Sequence, residues 1–268
     1  VLHYVSKGMS LTCRVKTTSR TIKKNREFMN NNNSFEMEEF TRSGLSMSAA
    51  FPALMRKVYV WMTLALAITG ITAYGVATSP ALLSLIFASK ATFFGLIIAE
   101  FVLVFAISGA INRLSLSTAT LLFVLYSVVN GATLSSIFLM FSMTTIGKVF
   151  FITAGTFAVM AFVGYTTKTD LTSMGKLLFM ALIGLIIATV VNMFMKSAGF
   201  DLILSYIGVL VFVGLTAYDT QKIKHLLQLA PDAGEHMQKM ALLGALTLYL
   251  DFVNLFLYLL RIFGNNKE

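Results

Sequence analysis

Three carboxylates lie inside long apolar stretches of the chain: Glu100, Asp219 and Asp251. A charged side chain at the centre of such a stretch costs roughly 2.5–3.5 kcal/mol on insertion scales, so each is a candidate for work on protons or cations. Asp251 sits in the run from Met240 to Phe263, where nine leucines between 240 and 262 contribute roughly −3 to −5 kcal/mol on the same scale. That is enough to carry the aspartate into hydrocarbon. The polar residues of this run are Gly244, Thr247, Asp251, Asn254, Tyr258 and Arg261, spaced 3, 4, 3, 4 and 3. They form one stripe on a helix, which predicts that the helix lies inside a bundle with the stripe turned from lipid. A packing seam, with small residues allowing close approach and Asn254 bonding across helices, accounts for Gly244 and Thr247. It accounts poorly for a buried carboxylate.

Asp219 lies in Gly214-Leu-Thr-Ala-Tyr-Asp-Thr-Gln-Lys-Ile-Lys224, where an apolar run gives way to basic residues. By itself it suits an interfacial position equally well. The link over residues 223–239, with a turn at Pro231-Asp-Ala-Gly234, brings the last two spans together as an antiparallel hairpin, in which Asp219 and Asp251 could face each other. Two carboxylates in a desolvated site cannot both ionise cheaply, so they would share a proton and titrate as a pair. Loss of that proton adds repulsion and favours separation, or the transient binding of a hard cation such as calcium.

The chain has 268 residues, 57% hydrophobic and 12% charged, with a net charge of +9; a soluble domain carries about 25% charged residues. This composition excludes a soluble globular enzyme and a disordered chain. One cysteine, Cys13, leaves no internal disulfide framework or cysteine-based zinc site. Apolar runs of about 20 residues, long enough to cross a bilayer, recur near 58–79, 92–112, 117–141, 147–166, 176–196, 202–222 and 240–262. They are too long and too continuous for barrel strands. The expected fold is an all-α polytopic membrane protein, with a polar, disordered segment over 1–56 and seven transmembrane helices over 57–264. Residues 1–28 carry seven bases against Glu27; they read as upstream sequence ahead of a start at Met29, in preference to a transit peptide. The remaining bases favour one side: Arg42, Arg56, Lys57, Arg113, Lys168, Lys176, Lys222, Lys224 and Lys239 against Lys90, Lys148, Lys196, Arg261 and Lys267. This predicts a cytoplasmic N-terminus and a C-terminus on the opposite side. The basic balance is assigned to orientation in the lipid bilayer, with no nucleic acid as partner.

The runs Thr216-Ala-Tyr-Asp-Thr-Gln-Lys-Ile-Lys224 and Leu246-Thr-Leu-Tyr-Leu-Asp-Phe-Val-Asn-Leu-Phe-Leu-Tyr-Leu-Leu-Arg-Ile-Phe-Gly264 resemble the C-terminal signatures of the Bax inhibitor-1 (transmembrane Bax inhibitor motif) family. The likeness is to its bacterial branch and extends over about residues 50–265. Gly131-Ala-Thr-Leu-Ser and Gly164-Tyr-Thr-Thr-Lys-Thr-Asp-Leu support it. The resemblance implies six helices around a central seventh, and a pH-sensitive calcium leak channel with no cofactor, calcium being the transported ion. It implies a sensor and gate at Asp219 and Asp251, and a latch at Arg113 that engages the pair in the closed form. Glu100 resembles a membrane glutamate of the ion path, which Asn254 would extend, but its separation from Arg113 is about two residues longer than the family pattern. The loop between the last two spans is also longer than in the shortest bacterial members. The expected site is a bacterial inner membrane.

Other functions fit less well. An intramembrane aspartyl protease would share Tyr218-Asp219, but Leu248-Tyr-Leu250 stands where Gly-x-Gly is needed before the second aspartate. A retinal protein needs a lysine within 240–262, and none occurs there. His225, Asp232, Glu235 and His236 read as a solvated loop and not as a metal site. The chain is therefore expected not to be an enzyme. A stress-response regulator that binds a membrane protease or other membrane proteins, without ion flux, remains the alternative.

Overall fold

The structure, a computed structural model, describes residues 50–87, 89–230 and 232–264. The polar segment before residue 50 and Lys267 lie outside the described residues. Seven helices are long and apolar enough to cross a membrane, and no strand occurs among the described residues. In chain order the helices are α1 Ala50–Ala77, α2 Pro80–Phe87, α3 Lys90–Ala110, α4 Leu116–Leu134, α5 Ser136–Met140, α6 Met143–Thr166, α7 Thr172–Met195, α8 Ala198–Gln228 and α9 Glu235–Gly264. Together α4 and α5 make the third span. The short α2 between the first two spans was not expected from the apolar runs.

Serine caps define four of the starts. Ser89, Ser115, Ser142 and Ser197 are extended, and each accepts a hydrogen bond from a backbone N–H in the following turn. This satisfies one of the donors that a helix start leaves open. The first span begins at Ala50, before the expected position near 58. Residues 50–58 are amphipathic: Ala50, Leu54, Met55 and Val58 are buried while Arg56 and Lys57 are exposed. Helices α8 and α9 likewise run beyond their apolar stretches, to Gln228 and from Glu235.

The seventh span is the central one. In its most apolar window 67% of residues are buried within the protein, against 6% for α3 and for α7. Helices α4, α6 and α8 pack directly on α9, α7 packs on α8, and α3 on α4. Two glycines permit the closest crossings. A Cβ on Gly164 would collide with the Ala217 carbonyl of α8, and one on Gly131 would stand 2.6 Å from the Thr69 carbonyl of α1. Both lie in the supporting motifs quoted above, so those motifs mark backbone contact between spans.

Candidate functional site

The polar stripe of α9 is its contact with α8. Gly244 lies against Ile223, Tyr258 against Gly208 and Phe212 (ring centroids 5.8 Å apart), and Arg261 pairs with Asp201 at 3.5 Å. In this antiparallel register Asp251 meets Asp219, and their carboxyl groups are within hydrogen-bonding reach. Asp251 is 5% exposed, and Asp219 is partly buried. Oδ2 of Asp251 is buried without a hydrogen-bond donor, as is the hydroxyl of the neighbouring Thr220. Ionised carboxylates only accept, so a bond between the two requires a proton on one of them. The pair offers at most four oxygens, fewer than the six to eight that calcium takes. A calcium ion held there would keep most of its water.

Lys222, one turn along α8, is the charged neighbour of Asp219; its Nζ also lies 5.8 Å from the centroid of the Tyr218 ring. Arg113 is in the turn between α3 and α4, exposed, and makes no side-chain hydrogen bond or ion pair among the described residues. That turn is tied to the start of α9. Lys239 donates to the Leu114 carbonyl at 3.0 Å, and Glu235 accepts from the Leu116 N–H at 3.0 Å. Lys239 and Asp251 are twelve residues apart on α9, about 18 Å of helical rise. The structure therefore does not bring Arg113 to the pair; a latch would require the α3–α4 turn to shift along α9.

Asn254 adjoins the pair on the stripe, but its amide donates to Leu250 O of its own helix at 2.8 Å. The bond across helices expected of it is not formed, because Leu250 O is the nearer local acceptor one turn back. Of the loop residues, Asp232 accepts from the Gly234 N–H at 2.8 Å, and Glu235 holds the α4 start as described. Among the described residues no three His, Cys, Asp or Glu side chains gather as metal ligands would. An apolar groove of about 570 Å³ between α1 and α6 reaches Phe252, next to Asp251. Its only polar side chains are Tyr59, Thr63 and Tyr165, which makes it a poor ion route.

Glu100 is placed elsewhere. Its Oε2 accepts from Asn130 Nδ2 of α4 at 3.1 Å, while Oε1 is buried without a partner. Tyr249 of α9 donates to Asn130 Oδ1 at 2.9 Å and meets Thr69 of α1 at 2.7 Å. Tyr249 and Asp251 are two residues apart, roughly 200° around the helix. The central helix thus carries the aspartate pair on one face and this second polar chain on the other. Tyr249, Asn130 and Thr69 were not singled out from the sequence, and Lys222 was read there only as a base that sets orientation.

The matched part of the chain contains all of these residues. A family model described as "Inhibitor of apoptosis-promoting Bax1" matches residues 52–268. Inner membrane protein YbhL of Escherichia coli K12 is 47% identical over 234 residues, covering 86% of this chain and all of YbhL. An uncharacterised protein of Borreliella burgdorferi is 46% identical over 214 residues, 80% of this chain and 92% of its own. One of Deinococcus radiodurans is 39% identical over 214 residues, 80% and 90% respectively. With the match running from the first span through the seventh, the chain belongs to the Bax inhibitor-1 family.

Proposed function

We propose that the protein is a pH-sensitive calcium leak channel of the bacterial inner membrane, gated by Asp219 and Asp251. The observation that carries this reading is the meeting of two carboxyl groups across the α8–α9 seam, with one oxygen of Asp251 buried and undonated. With one shared proton the pair ties α8 to α9. With none, two like charges in a poorly solvated seam repel, and the seam either parts or takes up a cation. Lys222 stabilises charge on the Asp219 side. Arg113 would reach the pair in a closed form in which the α3–α4 turn has moved. The seven apolar spans and the YbhL relative support the location; the bias of lysine and arginine supports a cytoplasmic N-terminus and a C-terminus across the membrane.

The test is calcium flux into liposomes holding the purified full chain and an entrapped indicator, between pH 6 and 8. The expected result is a pH-dependent flux that Asp219→Asn and Asp251→Asn flatten. Flux that ignores both pH and these substitutions removes the channel reading and favours a regulator that acts by binding a membrane protease or other membrane proteins.

A further inference from the structure

The second polar chain has a proton count that does not close. Four contacts run in series: Ser127 O to Thr69 Oγ1 at 3.0 Å, Thr69 Oγ1 to Tyr249 Oη at 2.7 Å, Tyr249 Oη to Asn130 Oδ1 at 2.9 Å, and Asn130 Nδ2 to Glu100 Oε2 at 3.1 Å. The amide fills the last. The first three join oxygens, and the hydroxyls of Thr69 and Tyr249 supply one proton each. One contact is left without a proton, among side chains of which Thr69, Asn130 and Tyr249 are buried. A donor and acceptor mismatch in so buried a place is destabilising.

Rotating the Asn130 amide by half a turn repairs the series, because its oxygen and nitrogen are nearly the same size. Nδ2 then donates to Tyr249, Tyr249 to Thr69, and Thr69 to Ser127 O. The amide oxygen now faces Glu100 Oε2, and that contact closes only if Glu100 carries a proton. One proton taken from water thus becomes the fourth in a series of four contacts. Otherwise only hydrogen bonds are exchanged, and no other covalent bond is made or broken.

We propose that Glu100 is a proton-binding site separate from the aspartate pair, and that its two charge states select the two orientations of the Asn130 amide. The orientation is passed to α9 by Tyr249 and to α1 by Thr69. The surroundings suit a proton better than a metal ion. Facing Glu100 are Tyr126, Asn130 and Thr133 of α4 and Tyr249 of α9; α2 has no titratable side chain, and α1 presents Thr69. Glu100 is the only carboxylate in the group, and the Thr133 hydroxyl lies 3.3 Å from its own helix at Val129 O. This inference does not rest on the channel reading.

The test is infrared difference spectroscopy of the full chain in lipid nanodiscs through a pH titration, with asparagine isotopically labelled. In the Asp219→Asn/Asp251→Asn double variant, a carboxylic C=O band is expected to appear on acidification and to vanish when Glu100→Gln is added. The asparagine amide band should shift with the same midpoint, and should still do so in Tyr249→Phe, because Tyr249 lies on the far side of the amide from Glu100. In the Asp219→Asn/Asp251→Asn background, a band that survives the addition of Glu100→Gln, or an amide band constant through the titration, overturns the proposal. So does a midpoint that moves when sodium is replaced by choline, because the site would then belong to a metal cation.

Discussion

Substituting Asp251 by Asn should stabilise the bundle at high pH and leave it nearly unchanged at low pH. In the protonated pair one carboxyl donates to the other, and the amide introduced by Asp251→Asn reproduces that donor to Asp219 with the same shape. When both carboxyls are ionised, the wild type faces two like charges at hydrogen-bonding reach. For charges about 4 Å apart in an effective dielectric of 20, the repulsion is about 4 kcal/mol, close to a 10³-fold effect on an equilibrium, at roughly 1.4 kcal/mol per decade. Lys222 offsets part of it, so this figure is an upper bound. The assay is reversible unfolding of the purified full chain in mixed micelles, followed by circular dichroism at pH 5 and pH 9. Asp251→Asn should gain one to a few kcal/mol at pH 9 and less than about 0.5 kcal/mol at pH 5. Adding Asp219→Asn should bring no second gain, since contacting residues are non-additive. An equal effect at both pH values, or two additive gains, would rule out repulsion within the pair.

Arg113→Ala should raise basal calcium leak at matched protein density by weakening the closed form, with stability changed by no more than about 0.5 kcal/mol because the side chain is exposed; an unchanged or lower leak counts against the latch. Gly164→Ala drives a methyl group into the Ala217 carbonyl and should cost about 1–3 kcal/mol in the same unfolding assay. Gly155→Ala on the same helix meets nothing within 4 Å and should gain about 0.5–1 kcal/mol; equal effects of the two would be inconsistent with the α6–α8 crossing. The Thr172 hydroxyl and N–H, at 2.6 and 2.9 Å, hold the Asp170 carboxyl below its ordinary value of 3.8. A lowered value means that these two hydrogen bonds are present above that pH and are lost as pH falls through the lowered value. The Thr172 amide proton shift should therefore move only below about pH 4, and Asp170→Ala should abolish the movement.

The spans and the aspartate pair were legible because both depend on strong local signals. Long apolar runs have few alternatives in lipid, and a stripe at spacings of three and four residues on α9 names the face that must be buried. The antiparallel link then fixes which residues of α8 meet it. Helix ends were harder to read: Arg56 and Lys57 mark the polar face of an amphipathic turn, and hydropathy alone treats them as the end of the span. Charged Lys239 is also buried at 9% exposure, because its head reaches the Leu114 carbonyl. The Glu100 chain left no signal of spacing. It takes one side chain from each of α1, α3, α4 and α9, and Thr69 and Tyr249 are 180 positions apart. Tyr249 lies opposite the polar stripe, where an aromatic residue reads as ordinary core. The place of Arg113 depends on the α3–α4 turn, whose anchors on Glu235 and Lys239 are equally long-range.

In the proposed gate, Asp219 and Asp251 are joined through a shared proton and part when both ionise. The chain has five aspartates, and the two in the α8–α9 seam are the pair within hydrogen-bonding reach of each other. Solid-state NMR of protein labelled with ¹³C at the aspartate carboxyls, in lipid bilayers, can report the Asp219–Asp251 carboxyl contact directly as pH is raised. A cross-peak is expected at acid pH that weakens at alkaline pH, in step with the change in calcium flux. A contact of constant strength across the titration, or none at any pH, would contradict it.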